Sequence, residues 1–106
     1  MNELRSLLEK RLVEKPEVSI DTWKDSDLVC VHFRGKEFAH FQSETVIDIR
    51  LTPKIIRDEN LNRAVSAQFH PDRSQNSRWI CIEFESAADV EKLLGLADLA
   101  ITALRL

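Results

Sequence analysis

The sequence predicts an α+β fold: an antiparallel sheet of about five strands with N-terminal and C-terminal helices packed on one face. Three features predict it. Leucines recur at helical spacing in the first fifteen residues, short runs rich in β-branched and aromatic residues alternate with turn signals through the middle, and a long apolar stripe at helical spacing closes the chain. The 106 residues, 43% hydrophobic and 31% charged, suit one compact domain spanning 1–106 with one core.

In the first element, residues 2–15, Leu4, Leu7, Leu8 and Leu12 lie on one side and charges on the other. Pro16 disfavours helix in the residue before it, so the helix stops there. Four strand-like runs follow: EVSIDTW, LVCVHF after the turn-like KDSD, EFAHFQ after RGK, and VIDIRL, read as an antiparallel meander. Thr52 before Pro53 predicts a helix start, a hydroxyl cap followed by proline at the first helical position. That short helix contains Ile55 and Ile56 and ends near Asn60 or Asn62. RWICIEF at 78–84 is a further strand. Ser86 and Asp89 have the spacing of a capping box, opening a last helix over about 87–104 with Val90, Leu93, Leu94, Ala97, Ile101 and Leu104 on its apolar side.

Alternation within the strands assigns two faces. Val29, Val31, Phe33, Ala39, Phe41, Ile47, Ile49, Ile80, Ile82 and Phe84 form an almost wholly apolar set, which the helices should cover. Glu37 shares that side in the third strand by alternation. His32, Phe38, His40, Gln42, Asp48, Arg50, Trp79 and Glu83, with Cys30 and Cys81, fall on the other face. This arrangement needs a three-residue loop, Arg34 to Lys36, because a two-residue loop would flip the third strand.

Charge and composition exclude several function classes. The net charge of −3 is spread evenly, with 8 basic and 10 acidic residues in the first half and 7 and 8 in the second. No basic footprint for a nucleic acid results. No apolar run approaches the roughly 18 residues of a membrane helix and no leader opens the chain, so a soluble, cytoplasmic protein is expected. Cys30 and Cys81 lack CxxC spacing and sit in apolar runs, which reads as two free, buried thiols in a reducing compartment. With only Gly35 and Gly95, no glycine-rich phosphate loop is available.

The polar face is the candidate site. Two imidazoles, a carboxylate and an arginine among aromatic side chains have the composition of a pocket wall. His40 is a candidate general base with Asp48 or Glu83 orienting its ring. His40, His70 and Asp48 could form a two-histidine, one-carboxylate metal site, but their spacing matches no compact ligand motif and no metal is expected. The segment HPDRSQNSRW offers Arg73, Ser74, Ser77 and Arg78 as a clamp for a carboxylate or phosphate, or simply a polar surface loop.

GKEFAHF, DIRL, HPDRS and SRWI, followed by a terminal amphipathic helix, resemble the luciferase-like domain family named after the fungal luciferases, a family with many bacterial members. The likeness spans roughly residues 16–104. By position it implies site roles for Glu37, His40, Asp48, His70, Pro71, Ser74 and Trp79, and Gln42 stands where the family often has a second histidine. The fungal members oxidise a hydroxylated pyrone without an evident cofactor, so the resemblance implies no cofactor here. Together these readings give His40, His70 and Asp48 as catalytic candidates. Glu37, Gln42, Arg50, Arg73, Ser74 and Trp79 are the ligand-binding candidates, for a small aromatic or anionic molecule. The alternative is an interaction module, a homodimer through the same face or an edge strand.

Overall fold

The computed structural model describes residues 3–22 and 28–105. Trp23 and the KDSD turn lie outside the described residues. Along the chain run α1 (Glu3–Val13), β1 (Val18–Thr22), β2 (Val29–Phe33), β3 (Lys36–Phe41), β4 (Val46–Arg50), α2 (Pro53–Asp58), α3 (Ala64–Phe69), β5 (Trp79–Glu83) and α4 (Ala87–Arg105). The five strands form one antiparallel sheet in the order β1-β2-β3-β4-β5, so every neighbour in sequence is a neighbour in space.

The core forms where alternation places it. Val31, Phe33, Ala39, Phe41, Ile47, Ile49, Ile80 and Phe84 are buried in one cluster with Leu8 and Leu12 of α1 and Val90, Leu93, Leu94 and Ala97 of α4. Val29 and Ile82 pack against it at the rim. Leu96 and Ala100 join the buried side of α4, broadening the expected stripe, whereas Leu7 of α1 stays largely exposed. Two exposed ion pairs, Arg11 to Glu91 at 2.9 Å and Lys15 to Asp98 at 2.7 Å, join α1 to α4.

Both caps hold their helices. Thr52 Oγ1 accepts from Ile55 N at 3.1 Å, and Ser86 Oγ accepts from Asp89 N at 3.2 Å while Asp89 returns a carboxylate oxygen to Glu85 N at 2.8 Å. Helix α2 ends at Asp58, and Asn60 follows at φ 57°, a left-handed turn that asparagine tolerates. Helix α1 stops at Val13, two residues short of the end the leucine pattern suggests; Asn2, its expected first residue, lies outside the described residues.

The β2–β3 connection differs from the sequence expectation. Phe33 pairs with Lys36, so the loop is the two residues Arg34 and Gly35, at φ 51° and 80°. Positive φ at both central positions is what a twisted two-residue hairpin requires. Glu17 holds Arg34 in place through its carboxylate at 2.8 Å and its carbonyl, which accepts from Arg34 N at 3.1 Å. The flip that such a short loop imposes is then cancelled by a bulge: His32 pairs with Glu37 but Val31 pairs with Ala39, leaving Phe38 as the extra residue. Ala39, His40 and Phe41 therefore keep their expected faces, while Glu37 and Phe38 exchange theirs. Phe38 is fully buried in the core cluster and Glu37 faces His40.

Helix α3 was not legible as a helix in the sequence. It packs on β5, where Ser66 Oγ accepts from Cys81 N at 2.8 Å. That bond satisfies an outward backbone N–H of the edge strand, one of the ways an edge is protected from further pairing. The segment from Arg63 to Arg78 then folds over the sheet face opposite the helical core, so this face is not open throughout.

Candidate functional site

Asp48 is the centre of that covered face. It lies mid-strand in β4, opposite His40 on β3 and Cys81 on β5, and its side chain is 0% exposed. A buried carboxylate needs charge partners and donors, and three side chains supply them. Arg73 donates from both terminal nitrogens, one to each oxygen, at 2.9 Å. His40 Nε2 lies 3.2 Å and His70 Nε2 3.7 Å from Oδ2. Burial alone pushes the Asp48 carboxyl up, but His40 and Arg73 outweigh it and hold it down, at about 2.

The two imidazoles are driven in opposite directions. Burial pushes His40 down, yet Asp48 and then Glu37, whose carboxylate is 3.4 Å from Nδ1, more than offset it, so its pKa is raised. His70 is lowered by burial, by the Arg73 guanidinium and by His40, with Asp48 only partly compensating. At neutral pH His40 is the one biased toward imidazolium and His70 toward imidazole. Gln42 Oε1 lies 2.9 Å from His70 Nε2, so in the neutral ring that nitrogen carries the proton and Nδ1 keeps its lone pair. Trp79 forms a wall beside His40, the ring centroids 5.3 Å apart and tilted by 35°. Both histidines keep a solvent-facing edge, with 17% and 34% of their side chains exposed.

The sequence-predicted residues thus divide. His40, His70, Asp48, Glu37, Gln42, Arg73 and Trp79 come together. Arg50 lies opposite Trp79 in the ladder and lines a cleft at the end of the sheet with Lys36 and Arg78. Ser74 accepts from Asn76 N at 3.0 Å and Ser77 Oγ from Trp79 N at 3.1 Å; both serve the local turn. Arg73 clasps Asp48 while Ser74 and Ser77 serve the turn, which is closer to the polar-loop reading of this segment than to a four-residue anion clamp. The cavity beside His70 is lined by Arg63, Ser66, Pro71, Arg73 and Ser74 among others and does not include His40.

Two neighbours were missed as site residues. Cys81 brings its sulfur within 4.8 Å of ligand atoms of Asp48 and His70, and Ser66 fixes its backbone. That positions 48 and 81 share a face follows from the strand alternation already noted, whereas their direct pairing comes from the β4–β5 register; Ser66 gave no signal. This trio is a poor cation site, because Arg73 places a permanent positive charge on the same carboxylate. Burial and Asp48 also push the Cys81 thiol up to about 11, away from the thiolate a metal takes.

A family model for the luciferase domain matches residues 35–100, well over half the chain. The chain belongs to the luciferase domain family. No curated protein and no solved structure matches it. Within this luciferase domain the match runs from the β2–β3 turn into α4 and contains every residue of the Asp48 cluster, while α1, β1 and β2 lie outside it. No helix among the described residues is long and apolar enough to cross a membrane.

Proposed function

We propose that this luciferase domain binds a small molecule, aromatic or anionic, over the solvent-facing edges of His40 and His70 and against Trp79, and that proton transfer between that molecule and the histidines is its chemistry. The observation that carries the reading is convergence: two partly buried imidazoles on one oxygen of a fully buried carboxylate, 3.2 and 3.7 Å away. Environments that drive two titratable groups apart separate an acid from a base. His40, its pKa raised by Asp48 and Glu37, is the acid or the positive charge beside a developing anion. His70, neutral with Nδ1 unprotonated, is the base. Asp48 and Arg73 act through them, fixing the rings without touching the ligand. Gln42 fixes the His70 tautomer, and Glu37 is the outward carboxylate that a ligand would displace or donate to.

The test is a thermal-shift screen of small aromatic acids on the wild-type chain, since a ligand of the native state raises its melting temperature by mass action. At least one aromatic acid in the screen should stabilise the wild type and lose its effect in His40→Ala and His70→Ala, with both variants folded. Equal stabilisation of all three proteins would overturn the assignment.

A further inference from the structure

A second concavity, separate from His40, lies between α2 and the turn at 75–76. It has a volume of about 570 Å³ and is lined by Arg57, Asn60, Asn62, Arg63, Gln75 and Asn76, with apolar side chains of α2 completing it. Its chemistry is one-sided: two guanidinium groups and four carboxamides, and no carboxylate. Neither Arg57 nor Arg63 forms an ion pair with a carboxylate among the described residues; the neighbouring Asp58 is paired with Lys54 at 2.6 Å and feels the Arg57 charge only at longer range.

Arg63 is held at the wall of this concavity. Its Nη2 donates to the Ser77 carbonyl at 2.9 Å, which pins the guanidinium, whereas Nη1 is buried with no hydrogen-bond partner. Nη1 has no surface open to the concavity, so an anion reaches it only when the side chain shifts, a shift that would relieve the cost of a buried charged donor without an acceptor. Asn62 adds to the donor excess. Its Oδ1 already accepts from Ala64 N at 2.6 Å, so its remaining capacity is the amino group.

We propose that this concavity is a binding site for an anionic, acceptor-rich small molecule whose phosphate or carboxylate oxygens engage Arg63 and Arg57, with further oxygens on the carboxamides. Planar guanidinium groups suit both oxyanions, since each can receive two parallel hydrogen bonds. The site is independent of the Asp48 cluster. Arg63 also borders the small cavity beside His70 and Arg73, so an anion held there lies against the segment that carries them.

The experiment is calorimetric titration of the full chain with inorganic pyrophosphate and, separately, with propane-1,2,3-tricarboxylate; the two arms distinguish a phosphate from a carboxylate preference. At least one probe should bind the wild type, and Arg57→Gln and Arg63→Gln should each weaken it about tenfold or more. His40→Ala should bind as the wild type does. Arg57 is exposed, so if Arg63→Gln fails to fold, Arg57→Gln decides alone. Failure of both probes to bind at millimolar concentration, undiminished binding by Arg57→Gln, or loss of binding in His40→Ala would each overturn the proposal.

Discussion

Arg73 grips both oxygens of Asp48 at 2.9 Å across 25 residues of sequence, and this fork ties the segment after α3 to the middle of the sheet. Removing one partner leaves the other charge poorly compensated in a buried place. Arg73→Met should therefore destabilise the fold by about 3–5 kcal/mol, read from urea unfolding. Asp48→Asn/Arg73→Met should cost clearly less than the sum of the two single changes, because the charges that need each other go together. Additive costs would mean that the pair is not coupled.

The bulge at Phe38 makes a sharp contrast between adjacent residues. Phe38→Ala should cost about 3–5 kcal/mol, as for other large buried aromatics. Glu37→Ala, on the exposed side, should stay within about 1 kcal/mol. The reverse order would restore the simple alternation and contradict the bulge.

Stability should depend on pH through two opposed histidines. His40 is raised, so its contribution is present below the ordinary imidazole pKa and is lost as pH rises through its folded value. His70 is lowered, so its contribution is present above the ordinary value and is lost as pH falls. In the wild type the two together set a stability maximum near the ordinary imidazole value. His70→Gln should keep the loss of stability as pH rises above about 6.5, and His40→Gln the loss as pH falls below it. Asp48 adds stability above the ordinary carboxylate range that is lost only as pH falls toward about 2. Denaturant midpoints measured from about pH 2 to about pH 8 check all three signs.

The cysteines should be silent in the native state. Burial pushes Cys30 up to about 12 and Cys81 up to about 11, so neither offers thiolate at mildly alkaline pH. A thiol-disulfide reagent should label neither in the folded protein and both in denaturant. Rapid labelling of Cys81 in the native state would show that the cover over Asp48 opens readily.

Period-two alternation made most of the architecture legible, because a single apolar face forces the register of each strand. Eight buried core positions and two at the core's rim follow from it, as do His40, Asp48 and Cys81 on one face. The hairpin was not legible: a loop one residue shorter and a bulge one residue longer give the same faces for Ala39, His40 and Phe41, and differ only at Glu37 and Phe38. Helix α3 was missed because AVSAQF is too short for a periodic signal and Arg63 provides no side-chain cap. The faint marker was Asn62, whose carboxamide oxygen accepts from Ala64 N. Burial of Asp48 could not be foreseen either, since its cover comes from Arg73 and His70, more than twenty residues downstream.

The central claim is that Asp48 organises two histidines with opposite protonation. The most direct measurement is a pH titration of the imidazole nitrogens by long-range ¹⁵N–¹H NMR on the wild type and Asp48→Asn. His40 should titrate above the ordinary imidazole value and His70 below it, with neutral His70 protonated at Nε2, and Asp48→Asn should bring His40 down. Two histidines titrating together near the ordinary value, or in the reverse order, would contradict the account.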